Sequence, residues 1–208
     1  MDWLQGLSAE MIAQHWTVWL AVLTAVLYLL LAARENPWCW FWGIISCSFW
    51  AYAAFALYDL WVDALLQLFY VGISFYGVYE WRWGGRGGKD LPITTMSWQL
   101  HLWIIAGGLL LSYLIGYLFK AYTPAAATYI DAFTTTFSVI ITFMVIYKKL
   151  ENWAYWLVVD TVYVYLYWSR GGYLFALLFI VYLIIVIIGW INWTKVYQKE
   201  GPQNKETI

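Results

Sequence analysis

Residues 152–170, NWAYWLVVDTVYVYLYWSR, form an apolar run with one carboxylate, Asp160, near its middle. Wound as a helix at 100° per residue, the run places Asn152, Trp156, Asp160, Tyr163 and Tyr167 within an arc of about 80° on one face. A charge at that depth in a bilayer costs roughly 2.5–3.5 kcal/mol, so such acids face a partner or a water-filled cavity. One stripe thus gathers an amide, an indole, an acid and two phenols. It reads as a ligand site; the alternative is a tyrosine-bonded stripe that only packs helices.

The rest of the chain sets that stripe in a membrane. Of 208 residues, 64% are hydrophobic, 22% aromatic and 11% charged, against about 25% charged in soluble domains. The net charge of −1, with no basic patch, excludes nucleic acid as a partner. Cys39 and Cys47 provide neither a disulfide framework nor a metal spacing and read as small buried side chains. No positive segment precedes the first apolar run, so no cleavable signal peptide is expected.

A spanning helix needs about 20 mostly apolar residues. Seven runs qualify: 14–33, 37–57, 60–81, 98–119, 125–147, 152–168 and 173–193. Lys/Arg excess marks the cytoplasmic side. Arg34, Arg82, Arg86, Lys89, Lys148, Lys149, Lys195, Lys199 and Lys205 fall on one side, and only Lys120 and Arg170 on the other. The N-terminus is therefore expected outside and the C-terminus in the cytoplasm.

The halves share spacings. Glu35-Asn36 followed by Trp40 matches Glu151-Asn152 followed by Trp156. Ala64-Leu65-Leu66 with Gly77 and Trp81 matches Ala176-Leu177-Leu178 with Gly189 and Trp193. In this register the second copy is four residues shorter between the two anchors, and Asp160 falls on Ile44, Tyr163 on Cys47 and Tyr167 on Ala51. The expected fold is an all-α integral membrane protein, seven helices in a parallel 3+1+3 repeat of three-helix bundles. Residues 1–13 form an extracytoplasmic N-terminus, 14–83 the first bundle, 84–97 a cytoplasmic connector and 98–120 a linker helix. The second bundle is 121–193 and a solvated tail 194–208.

Polar residues gather on three spans. The third carries Asp63, Gln67, Tyr70, Ser74 and Trp81 on one face, and the fifth Asp131, Thr135, Ser138 and Thr142. In the seventh, Phe179 replaces Gln67 while Tyr182 keeps the aromatic of Tyr70. One asymmetric ligand near the midplane between the bundles fits this distribution. Indole and phenol faces attract an aromatic cation, and Asp160 balances its charge. Gln67 and Asn152 pair with a carboxamide, and Thr135 and Ser138 with sugar hydroxyls; cross-helix bonding is the competing role of those two hydroxyls. Trp38, Trp42, Trp61, Trp83, Trp98, Trp103, Trp190 and Trp193 lie near span ends, as an aromatic belt would.

Catalysis has little support. The two histidines, His15 and His101, lie near helix ends, and there is no H-E-x-x-H or G-x-S-x-G. Gly84-Gly85-Arg86-Gly87-Gly88 lacks the Lys-Ser/Thr of a phosphate loop and reads as a flexible connector. A retinal protein would need a lysine in the middle of its last helix, which has none before Lys195.

The run Asp63-Ala64-Leu65-Leu66-Gln67 to Ser74-x-Tyr76-Gly77-x-x-x-Trp81, with Glu151-Asn152-Trp153-x-x-Trp156-x-x-x-Asp160 and Leu166-Tyr167-x-x-Arg170-Gly171-x-Tyr173, resembles the PnuC family of bacterial nicotinamide riboside transporters. The resemblance implies a SWEET-like fold, a homotrimer in the inner membrane, and no cofactor. It also implies a facilitator whose solute is trapped inside by phosphorylation, without a coupling ion. Pyridinium, carboxamide and ribose are the groups that Gln67, Asn152, Trp156, Asp160 and Tyr163 would meet, with Tyr70, Thr135, Ser138 and Tyr182 placed by helical phase. A carrier of another vitamin or a sugar, and a non-transporting scaffold or sensor, are the alternatives.

Overall fold

The computed structural model describes residues 3–58, 60–85, 87–122 and 128–200. Arg86, the 123–127 approach to the fifth expected span, the Trp61 side chain and the tail 201–208 lie outside the described residues. The described helices are α1 (Trp3–Ala13), α2 (Trp16–Ala33), α3 (Cys39–Tyr52) continuing into a π turn (Ala53–Leu57), α4 (Trp61–Trp83), α5 (Trp98–Tyr122), α6 (Thr128–Ile146), α7 (Asn152–Ser169) and α8 (Tyr173–Glu200). Five stretches are long and apolar enough to cross a membrane: Trp16–Ala33, Cys39–Leu57, Trp98–Tyr122, Tyr129–Ile146 and Tyr173–Lys199. The chain is thus a multi-pass membrane protein. Of the seven expected spans, α4 and α7 fall outside this set; both are rich in tyrosine and tryptophan as well as in polar side chains.

Helix ends are set by local chemistry. The His15 ring accepts from Thr17 N and starts α2. Glu10 on α1 does the same for α8, its carboxylate accepting from Tyr173 N at 3.1 Å and Leu174 N at 2.9 Å. The N-terminal segment, expected only as a short extracytoplasmic lead, is thus a helix docked on α8. At the other end α8 runs unbroken to Glu200, so the first part of the expected solvated tail is helical.

α3 packs against α2 and α4, and α7 against α6 and α8; α5 lies along α6, α2 runs along α8, and α4 touches α6 only sparingly. The dry core sits where α2, α4 and α6 end. There the rings of Trp40, Trp81, Trp193 and Trp153 follow one another at centroid distances of 5.6, 5.9 and 5.4 Å. Trp40 lies on Gly77 and Trp153 on Gly189, each so close that a Cβ on the glycine would fall 2.5 Å from the indole. Trp81 Nε1 donates to Val145 O at 3.0 Å, and Trp193 Nε1 to Ala32 O at 2.9 Å. Trp193 is fully buried here and does not belong to the belt; Trp38, Trp83, Trp98, Trp103 and Trp190 are exposed.

The same end holds an ion pair. Glu35 and Lys148 both have positive φ, 56° and 46°, and they meet each other, Lys148 Nζ lying 2.6 Å from Glu35 Oε1 and 4.8 Å above the Trp81 ring. The connector after the glycine loop is pinned: Ile93 is fully buried, Thr94 exchanges backbone hydrogen bonds with Lys148 and Leu150, and Met96 N donates to Glu151. The expected flexibility therefore does not extend past about Leu91.

Helix ends also correct the register of the halves. Ala33 and Ile146 end α2 and α6, and Cys39 and Asn152 begin α3 and α7, pairs 113 positions apart. Glu35 and Lys148, and Trp40 and Trp153, keep that spacing. Trp61 and Tyr173, which begin α4 and α8, are 112 apart. Read as a repeat, this spacing pairs Trp40 with Trp153, not Trp156, and makes the later segment shorter by one residue, not four. The π turn of α3 supplies the extra residue, as a single-residue insertion in a helix does.

Candidate functional site

Asp160 sits two helical turns beyond Trp153 on α7. It is 3% exposed, yet it forms no hydrogen bond or ion pair with any described residue. Around it stand phenols. Tyr163 and Tyr182 lie within electrostatic reach of the Asp160 carboxyl, and Tyr70 within reach of Tyr163. The helix phase that grouped Asp160 with Tyr163 thus brings α7, α8 and α4 to one locus.

Tyr163 is held on two sides. Its ring stacks on Phe179 at 4.5 Å and 18°, and Phe179 in turn on Tyr167 at 5.6 Å and 16°. Its hydroxyl is set beside those of Thr134 and Ser138 on α6. One face of Tyr163 is therefore taken by a protein ring and is not offered to a solute. Phe179 also meets Tyr182 edge-on at 5.4 Å. Ser138 joins the cluster as expected, but its companion is Thr134, whose hydroxyl also returns to the α6 carbonyls of Ile130 and Asp131. Thr135, one position on, is half-buried and makes no hydrogen bond with described residues.

Other expected members stand apart. Asn152 is fully buried eight residues before Asp160, about 12 Å along the helix, in the tryptophan end of the fold. Its Nδ2 donates to Lys149 O at 2.7 Å, and Oδ1 is buried without a partner. Trp156 bridges the two apolar clusters, the tryptophan core and the Phe137–Ile141–Met144–Val159 group. Gln67 is half-buried on α4 and forms no hydrogen bond with described residues.

Two residues enter that sequence reasoning set aside. Cys47, half-buried on α3, lies within reach of both Tyr70 and Tyr182, and Tyr28 on α2 within reach of Cys47 and Tyr70. The 113-residue spacing of the helix ends pairs Cys47 with Asp160 and would have pointed to it. The histidines serve structure: His101 Nδ1 meets the Tyr155 hydroxyl at 2.8 Å over a stacked ring, with Glu151 3.8 Å from Nε2.

With this geometry in hand, known proteins resemble the chain along nearly its whole length. The model of the family described as "Nicotinamide mononucleotide transporter" matches residues 15–195. The nicotinamide riboside transporter PnuC of Neisseria mucosa is 26% identical over 204 residues, 90% of this chain and 75% of that protein. The PnuC of Escherichia coli is 22% identical over 206 residues, 85% of each. The riboflavin/roseoflavin transporter RibM of Streptomyces davaonensis is 24% identical over 198 residues, 93% of this chain and 92% of the relative. The crystal structure of the vitamin B3 transporter PnuC superposes with a TM-score of 0.72 at 22% identity, over 95% of this chain and 91% of that one. That superposition establishes a shared fold.

Proposed function

Because this chain belongs to the nicotinamide mononucleotide transporter family, the family of PnuC, we propose that it carries nicotinamide riboside across a bacterial cell membrane. The family is one of transporters, not enzymes. One observation carries the choice of solute: Asp160 is buried, without a hydrogen-bond or ion-pair partner among the described residues, within electrostatic reach of Tyr163 and Tyr182. An unpaired buried carboxylate is costly, and a visiting pyridinium offsets that cost. Ser138 and Thr134 beside Tyr163 would face the ribose, Tyr70 and Tyr182 the ring, with Gln67 and Asn152 as amide partners farther from the acid. Trp156 would form the floor that joins this locus to the tryptophan core.

In the same proposal the fold is seven spans in a 3+1+3 duplication, supported by the constant spacing of helix ends and by the two Trp–Gly contacts. The N-terminus lies outside, following the lysine and arginine count, and the protein assembles as a homotrimer in the inner membrane. The two bundles rock about the Asp160 level to open alternately to each side. Phosphorylation of the solute inside would keep the flow inward.

Uptake of labelled nicotinamide riboside into proteoliposomes tests this. Asp160→Asn and Trp156→Ala are each expected to lower uptake about tenfold or more, the worth of one charge-assisted contact, with membrane insertion unchanged. Normal uptake in both variants overturns the site. The flat Tyr163–Phe179–Tyr167 stack also suits an isoalloxazine ring, so riboflavin belongs in the competition panel beside free ribose. Competition by either that matches the riboside would reassign the solute, and no saturable flux at all would favour a scaffold.

A further inference from the structure

We infer that Cys47 forms the wall of the solute cavity opposite Asp160, so that the solute is gripped by a charge on α7 and by an uncharged thiol on α3. The inference rests on the transport reading above and adds a contact to it.

Three observations place the thiol there. Trp40 and Trp153 each seat an indole on a glycine, Gly77 and Gly189, and Cys47 follows Trp40 by the seven residues that separate Asp160 from Trp153. Seven residues return a helix to within about 20° of the same face, so each group projects from its helix as the other does. Next, Tyr70 and Tyr182, 112 positions apart on α4 and α8, both lie within reach of Cys47, and Tyr182 also reaches Asp160. One phenol therefore lies within electrostatic reach of both groups. Finally, Asp160 is buried with no hydrogen-bond or ion-pair partner among the described residues, as a group that awaits a ligand would be.

The chemistry gives the pair a sense of direction. A thiol is small, soft and a weak hydrogen-bond donor, so it neither repels a cation nor competes with Asp160 for it. A solute with one cationic and one apolar edge has a single preferred orientation in such a slot. Bulk at position 47 would close the slot from the α3 side. Cys39, by contrast, is fully buried in the tryptophan core and contributes nothing to the cavity.

The test uses the full-length protein in proteoliposomes in a Cys39→Ser background. Methyl methanethiosulfonate is expected to modify Cys47, to lower riboside uptake at least fivefold, and to react at least fivefold more slowly when riboside is present. Cys47→Ala should lose sensitivity to the reagent, while Cys47→Phe should lose uptake. Modification at the same rate with and without a solute that the protein transports overturns the proposal, as does full uptake by the labelled protein. Placement is read apart from the solute by Asp160→Cys in the same background: a short bis-methanethiosulfonate should link positions 47 and 160, seen by mass spectrometry. No link overturns the facing walls even if the Cys39→Ser parent carries riboside; a link, when that parent with Asp160 intact carries no riboside, upholds the walls and overturns the choice of solute.

Discussion

A methyl group at Gly77 or Gly189 has nowhere to go, since it would sit 2.5 Å from an indole carbon of Trp40 or Trp153. Those indoles are fully buried and cannot swing clear, so the backbone must move instead. Gly77→Ala and Gly189→Ala are each expected to destabilise the protein by about 1–3 kcal/mol, the usual range for overpacking. Thermal unfolding in detergent checks this, and two unchanged midpoints would contradict it. The glycines were legible as spacing, because Gly77-x-x-x-Trp81 and Gly189-x-x-x-Trp193 repeat in the sequence. What each glycine receives was not, because the partner comes from another helix. Asp160 was legible for a simpler reason: a lone acid in an apolar run has few innocent roles. Cys47, Tyr28 and Thr134 carry no such signal, since a thiol, a phenol and a hydroxyl are ordinary in a spanning helix.

At the scale of the element, identity of letters misled where backbone shape would not. Glu35-Asn36 and Glu151-Asn152 look alike, yet the positions that share a positive φ are Glu35 and Lys148, which share no chemistry. The three-residue difference in register sets Asp160 against Cys47 rather than Ile44, the pairing on which the inference about Cys47 rests. The spans themselves were readable from apolar run length, and the five most apolar correspond to α2, α3, α5, α6 and α8. α1 was missed because its partner is the half-buried N-terminus of α8, which no periodicity within α1 announces. Glu10 there bonds two amides that have no partner within their own helix and adds negative charge at the positive end of the helix. Glu10→Ala is expected to cost about 0.5–2 kcal/mol, the worth of a helix cap. Hydrogen exchange should show it as faster exchange at Tyr173 and Leu174, with the tryptophan end unaffected; equal exchange would show that the cap adds nothing.

For the molecule as a whole, polar ties between the α2–α4 and α6–α8 groups concentrate at one end. Trp81 reaches Val145, Trp193 reaches Ala32, Asn192 reaches Ala33, and Lys148 meets Glu35. Lys148 is almost wholly buried, so removing one partner strands the other. Lys148→Met is expected to cost about 3 kcal/mol or more, the range for breaking a buried pair. The double variant Glu35→Gln/Lys148→Met should recover much of that loss, read as the midpoint of chemical or thermal unfolding. A double variant no more stable than the single would assign the loss to Lys148 packing on Trp81 rather than to charge. None of this was legible in the sequence beforehand, because opposite charges 113 positions apart give no hint of meeting. Composition did foretell the rarity of such pairs, with so few charged residues in the chain.

The two indole bonds are reciprocal: each helix group lends a hydrogen to the last carbonyls of the other. Prying loose one strand of this clasp leaves its twin still fastened. Separation there must sever both links, the ion pair and the four-ring row within a single cooperative event. In the rocking motion proposed above, half-parted arrangements would then be scarcely populated, and this end of the protein would act as a switch with two positions rather than a hinge with a continuous range.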